Sequence, residues 1–294
     1  MCGGQLCGVV GPIYFNKPTY FGSAPIDLSE LTIRLLKCPD CEFQFTHPRI
    51  PPERLLVLYS QIEAHHWGIE VDSYERQYDI IGAMLARYAI GRRILDVGCF
   101  TGSLLKYLGP EWDRNGVEPS VAAAQITRRT GATVLGATLE DIPPRTPPFD
   151  VITAIDVIEH ISEPFAFFER SRDLLKPGGV VLIVTGDTQS LTWKLMKNRY
   201  WYCSLPGHVS FFSGPTMKYL ENRLNFQRLE RCRRRHIRSR LLRHVKMLLQ
   251  NVFYELGVAA GGLGIPKLRK LTVDAPGPNW ITAPDHMFYA ARRL

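Results

Sequence analysis

The chain has 294 residues, 45% of them hydrophobic and 22% charged. This is enough for one α/β domain and a small appendage, and too apolar for a disordered or fibrous chain. The net charge is +8, yet Arg228–Lys246 alone holds nine Lys or Arg against one Glu, so the basic excess reports one segment. No apolar run approaches the ~20 residues that span a bilayer. Met1-Cys-Gly-Gly lacks the basic and apolar regions of a secretory signal. Seven cysteines in such a chain predict reduced thiols in a cytosolic compartment, where metal binding outranks disulfides.

In chain order, Cys2 and Cys7 make a first cysteine pair, and Cys38-Pro-Asp-Cys41 a second. Two such pairs on neighbouring turns can surround a tetrahedral zinc, which would be structural because four thiolates leave no open position. His47, His65 and His66 are further candidate ligands. Residues 1–70 are read as a zinc-ribbon-like module with a linker helix. The segment 72–90 predicts an amphipathic helix, with Ile80, Ile81, Met84, Leu85 and Tyr88 at helical spacing.

Next comes Arg93-Ile-Leu-Asp-Val-Gly-Cys-Phe-Thr-Gly-Ser-Leu104. Ile94, Leu95 and Val97 predict a buried strand. Gly98 and Gly102 bracket a tight turn that admits the polar backbone of a ligand, and Ser103 opens a helix. Glu118 ends the next strand, where an acid can accept hydrogen bonds from a ribose. Further strands are expected at 132–135, 149–156 and 180–185, with Leu174–Gly179 as a turn before the last. Alternating strands and helices predict a parallel sheet with helices on both faces.

At these residues the chain resembles the class I S-adenosylmethionine (SAM) dependent methyltransferases. Asp96, Gly98 and Gly102 match the acid and two glycines of that family's first motif. Phe100 stands where a third glycine is frequent, so a differently shaped loop is expected there. The resemblance implies a Rossmann-like, seven-stranded, mostly parallel sheet over about residues 71–236, closed by a last strand in 281–294. It implies that the loop Gly98, Cys99, Gly102 and the acid Asp96 hold the methionine end of SAM, whose sulfonium is cationic. It places Glu118 on the ribose, Asp141 at the adenine amine and Asp156 at the cofactor. Val157-Ile-Glu159-His160 matches a phrase of the branch containing quinone and small-molecule O-methyltransferases. Some of these are described with a metal at positions matching Asp156, Glu159 and His160. Members of this branch also begin with a paired-cysteine zinc module, followed by a helix phrase that Tyr59…His65-His66-Trp67 resembles.

Beyond the fifth strand, Arg199–Cys203 and His208–Ser213 gather aromatics around one histidine. The resemblance puts this segment near the acceptor. An imidazole titrates where it can take a proton from a hydroxyl, so His208 is the first candidate general base and His160 the second. The methyl-amide and adenine signature Asn/Asp-Pro-Pro-Tyr is absent after the fourth strand; Ala154-Ile-Asp156-Val stands there. A hydroxyl on a small-molecule, sugar or lipid-linked acceptor is therefore the expected target, with RNA methylation or a catalytically silent SAM-fold protein as alternatives.

Residues 237–280 form an insertion before the last strand. Its stripe Ile237, Leu241, Val245, Leu248, Leu249, Val252, Phe253, Leu256 and its arginines predict a basic amphipathic helix. A lid over the acceptor pocket would bury that stripe; an anionic membrane contact would leave it exposed. The lid is the favoured expectation. RNA binding is disfavoured, because no aromatic residues interleave the arginines as stacking platforms.

Overall fold

The computed structural model describes residues 7–62, 75–235, 241–262, Thr272 and 275–294. The expectations for Cys2, His65, His66 and Ile237 lie outside the described residues.

The N-terminal part holds five short strands: β1 (Gly8–Pro12), β2 (Tyr20–Phe21), β3 (Ala24–Pro25), β4 (Arg34–Lys37) and β5 (Gln44–His47), then helix α1 (Pro52–Ser60). Pro51 and Pro52 start α1, since proline suits the first helical turn. Helix α2 (Glu75–Tyr88) follows and buries Ile81, Met84 and Leu85, as the helical spacing predicts.

The core then alternates: β6 (Arg93–Val97), α3 (Ser103–Leu108), β7 (Asp113–Val117), α4 (Val121–Arg129), β8 (Thr133–Gly136), β9 (Phe149–Ile155), α5 (Pro164–Leu174), β10 (Leu175–Gly186). After α6 (Leu191–Met196) and β11 (Ser210–Phe211) come α7 (Gly214–Leu224), β12 (Phe226–Arg234), α8 (Leu241–Gly262) and β13 (His286–Arg293). The main sheet has the order β12-β13-β10-β9-β6-β7-β8. Strand β13 is antiparallel to β10 and β12, and the others run parallel. Strands β6 and β9 are buried along nearly their whole length because helices cover both of their faces. The chain leaves β6 toward β7 and β8 on one side, and toward β9 and β10 on the other. A crevice therefore opens beyond the carboxyl ends of β6 and β9, where such sheets bind ligands.

Three expectations change. The turn expected at Leu174–Gly179 is the bulged start of β10: pairing with β9 jumps from Leu175↔Phe149 to Val180↔Val151, and Gly178 turns the chain with φ +79°. The N-terminal strands also do not stand alone. Ser210 and Phe211 of β11 pair with Phe45 and Gln44, so a strand adjoining His208 completes the sheet β1-β4-β5-β11.

The third change concerns α8. Leu248, Leu249, Val252 and Phe253 are 48%, 49%, 44% and 68% exposed, and no residue of α8 lines the main cavity. The lid expectation is thereby overturned. The helix is tied to the chain beyond it by buried Asn251, whose Nδ2 donates to Asn279 O at 3.5 Å. Tyr254 adds bonds from its hydroxyl to the carbonyls of Thr272 and Ala275.

Candidate active site

A cavity of about 920 Å³ occupies the crevice. One end is built by the loop after β6, the residue after β7 and the turn after β8. The other is built by α1 and the segment between α6 and β11.

The loop after β6 turns through left-handed backbone three times, with φ +66° at Gly98, +45° at Phe100 and +73° at Gly102. A Cβ at Gly98 would lie 2.6 Å from Val157 Cγ2, and one at Gly102 2.9 Å from Thr127 Cγ2. Phe100 thus takes a left-handed backbone without being glycine, at about 1–2 kcal/mol of strain. Phe100 N donates to Glu118 Oε2 at 2.8 Å, and Thr127 Oγ1 donates to Phe100 O at 2.6 Å. These bonds hold the residue in place.

Glu118 is 8% exposed and accepts from Phe100 N and Ser120 N, both at 2.8 Å, through its two different oxygens. Each oxygen keeps a lone pair for a ligand hydroxyl. Burial raises its pKa against those two bonds. Asp96 is buried and accepts from Thr153 Oγ1 at 2.6 Å. Burial, with the charge of Glu118 adding to it, pushes Asp96 up to about 7, although the Thr153 bond works the other way. Both carboxylates line the cavity with Tyr78 of α2. Buried acids with raised pKa values fit a cationic, hydroxyl-bearing ligand, which would favour their ionised forms. Cys99 is buried, and burial pushes its thiol up, so it stays protonated and packs against Gly116.

Asp141 falls elsewhere. Its Oδ2 accepts from Ala137 N and Thr138 N, both at 2.9 Å, and caps the turn Leu139–Asp141. The cavity is lined there by Ala137, Thr138, Leu139 and Glu140, not Asp141. One oxygen of Asp141 thus serves the turn, and the residue itself does not line the cavity. Asp150 is also structural: it accepts from Arg93 N at 2.9 Å and pairs with Lys176 at 2.7 Å.

Asp156 follows β9 with φ +53° and lines the cavity. Burial lifts its pKa to about 7, while His286, with Nε2 3.7 Å from Asp156 Oδ1, pulls it down. Burial opposes a charged His286, but Asp285, Asp156 and Glu159 outweigh it and raise the imidazole to about 9. His286 Nδ1 lies 2.8 Å from Asp285 Oδ1. His286 is fully buried and does not itself line the cavity, so it acts on the site through Asp156. No spacing pattern in the sequence announces it.

At the acceptor end, His160 and His208 pack edge to face with ring centroids 4.7 Å apart, and both line the cavity. His160 Nδ1 lies 2.5 Å from Tyr59 Oη and 3.0 Å from Gly207 O. Nδ1 thus stands between a hydroxyl and a carbonyl, and the His160 tautomer sets which of the two it bonds. Burial raises the Tyr59 pKa, and the charge of Glu159 adds to it, so Tyr59 stays a phenol. Glu159 is fully buried, accepting from Thr185 Oγ1 at 2.8 Å and from the Tyr202 hydroxyl. Leu55, Leu56, Trp201 and Leu205 supply apolar wall.

Among the described residues, Glu159, His160 and His208 form the group whose donor atoms lie within 4.8 Å of one another. Asp156 is not in it, so the expected metal set of Asp156, Glu159 and His160 is not assembled. Cys7, Cys38 and Cys41 do not form such a group either. Cys38 and Cys41 are buried in the apolar core beside Phe43, and Cys7 packs against the same core. The described residues thus give the zinc-ribbon expectation no support.

A parallel sheet with this strand order, a glycine turn after its first core strand and buried acids after the first two define a class I SAM-dependent methyltransferase. Residues 69–230 match the family model described as a methyltransferase domain, which is more than half of the chain, and the chain belongs to that family. The ubiquinone biosynthesis O-methyltransferase of Bradyrhizobium sp. (strain ORS 278) is 34% identical over 113 residues, 35% of this chain and 42% of that protein. The protein of the same name from Rhodopseudomonas palustris (strain BisB5) is 36% identical over 104 residues, 32% of this chain and 40% of its own length. The alignments thus cover less than half of either relative. Among solved structures, Haemonchus contortus phosphoethanolamine N-methyltransferase 2, with phosphomonomethylethanolamine and S-adenosylhomocysteine, superposes with a TM-score of 0.53 at 17% identity. That match covers 85% of this chain and 62% of the other, and it speaks for the fold.

Proposed function

We propose that the chain methylates a hydroxyl on a small acceptor with an apolar or aromatic body. The observation that carries this reading is the acceptor end of the cavity, where two histidines are set beside Leu55, Leu56, Trp201 and Leu205. An apolar wall suits a hydrocarbon or aromatic body better than a sugar, whose hydroxyls would each need a partner. The two relatives named O-methyltransferases support oxygen as the target.

Bound SAM supplies an electrophilic methyl carbon on a cationic sulfur. The chain's part is to bind, align and accept a proton. Ionised Asp96 and Glu118 favour the cationic and ribose portions. The left-handed loop Gly98–Gly102 lets backbone approach the ligand where a Cβ would clash. The aromatic wall excludes water and fixes the acceptor, and alignment of this kind contributes much of the rate. Transfer would form the bond from acceptor oxygen to methyl carbon as the carbon–sulfur bond breaks and S-adenosylhomocysteine leaves, with the acceptor's proton taken by an imidazole nitrogen of His208 or His160.

The test offers methyl-labelled SAM with hydroxylated aromatics and with their matched amines. Label on oxygen, with release of S-adenosylhomocysteine, is expected. Label on the amines alone would sink the reading.

A further inference from the structure

The outward face of α8 is the largest feature that the methyltransferase reading leaves unused. A surface helix of a soluble domain turns its apolar stripe inward and its polar face to water. Helix α8 leaves its stripe uncovered instead. Leu241, Leu242, Val245, Leu248, Leu249, Val252, Phe253 and Leu256 are all exposed, from 44% at Val252 to 82% at Leu242. They recur at helical spacing along one side. The residue buried against the body is polar Asn251, at 1% exposure. Residues 241–250 are exposed or half-buried at every position, so this half of the helix stands off the body.

The charges around the stripe have one sign. Arg243 and Lys246 are exposed within the helix. Arg234 and Arg235 end β12 exposed, and Arg235 Nη1 lies 3.2 Å from His244 Nε2, which brings that basic end to the start of α8. The acid within α8 is Glu255, and Arg199 neutralises it at 3.2 Å. No described helix is long and apolar enough to cross a membrane. A contiguous apolar face with a basic border, on a helix that does not span, suits the plane of an acidic lipid surface.

We propose that α8 docks the protein on an anionic bilayer, with Leu248, Leu249, Val252 and Phe253 in the headgroup–acyl boundary and Arg243 and Lys246 on the acidic headgroups. The inference stands apart from the identity of the acceptor. It does have a geometric consequence for the site. Tyr254, on the seated side of α8, packs in the same cluster as Trp201 and Tyr202, and these two line the cavity. A docked helix therefore sits one aromatic layer from the acceptor end.

The experiment is flotation of the full chain with vesicles of phosphatidylcholine containing phosphatidylglycerol, against pure phosphatidylcholine, at low and high salt. Capture by the anionic vesicles at low salt, and weaker capture at high salt, is expected. Arg243→Glu with Lys246→Glu should weaken partitioning at least about tenfold. Leu249→Ser with Phe253→Ser should weaken it about tenfold or more through lost apolar burial. Both variants should keep the wild-type affinity for SAM, which shows that they fold. Absence of capture, or capture that ignores lipid charge and salt, overturns the proposal. So does a concentration-dependent dimer that Phe253→Ser dissolves while vesicles capture nothing, since a second copy would then cover the stripe.

Discussion

Asp96 is a carboxylate whose ionisation the protein opposes until a cation arrives. Burial, aided by Glu118, places its pKa at about 7. A positive ligand binds the ionised form and must expel the proton where Asp96 holds one. SAM affinity should therefore rise with pH through about 7, by up to about tenfold per unit below that value. Asp156 titrates in the same range for the same first cause and adds to the slope. Titration calorimetry at pH 6 and 8 checks this, and Asp96→Asn should flatten the profile. A wild-type affinity independent of pH would mean that Asp96 is not beside the cationic group. The histidines act on a different quantity. His208→Ala should lower turnover about 10²–10⁴-fold, the usual contribution of a general base, and leave SAM affinity near normal. If turnover survives and only the melting temperature falls, His208 is a packing residue. Tyr59→Phe removes one bond to His160, a loss of about 1 kcal/mol, seen as a small drop in stability by denaturant unfolding.

At the scale of elements, the site depends on two joints. The first is the loop between β6 and α3. Gly98→Ala combines a left-handed φ with a Cβ 2.6 Å from Val157 Cγ2. It should cost about 1–3 kcal/mol and weaken SAM binding together with stability. The second joint ties the sheet's edge. Asp187, just past β10 and 1% exposed, pairs with Arg231 at 3.0 Å and Arg233 at 2.8 Å on edge strand β12. These bonds reach across β13. Asp187→Asn keeps the shape and removes the charge, and the half-exposed arginines can turn to water. A loss of about 2–3 kcal/mol is expected, with a melting curve as the measurement. An unchanged curve would show that the edge is held by the backbone ladder alone.

At the scale of the molecule, the sheet was legible in the sequence and the acceptor wall was not. Parallel strands covered on both faces are mostly apolar runs, so Ile94–Val97 and Phe149–Ile155 could be read directly despite Asp96 and Asp150. The turn Gly98–Gly102 and the acid Glu118 were legible because a ligand's backbone and ribose demand those residue types at that spacing. The sequence cannot separate the two uses of an acid at a turn, and only coordinates show one oxygen of Asp141 bonded to Ala137 N and Thr138 N. Long-range contacts leave no periodic mark. Tyr59 and His160 are 101 residues apart, and the pairing of β5 with β11 joins segments that share no motif. The exposure of α8 was equally hidden, because an amphipathic pattern fixes a stripe and not what the stripe faces.

The central claim is that one SAM molecule binds over β6 and β7, held by Glu118. Calorimetric titration of SAM into the wild-type chain and into Glu118→Ala tests it most directly. Two charge-assisted hydrogen bonds, each about 1.5–3 kcal/mol, should make the variant at least tenfold weaker while its fold survives, with one site per wild-type chain. Heats and affinity unchanged in Glu118→Ala would contradict the account.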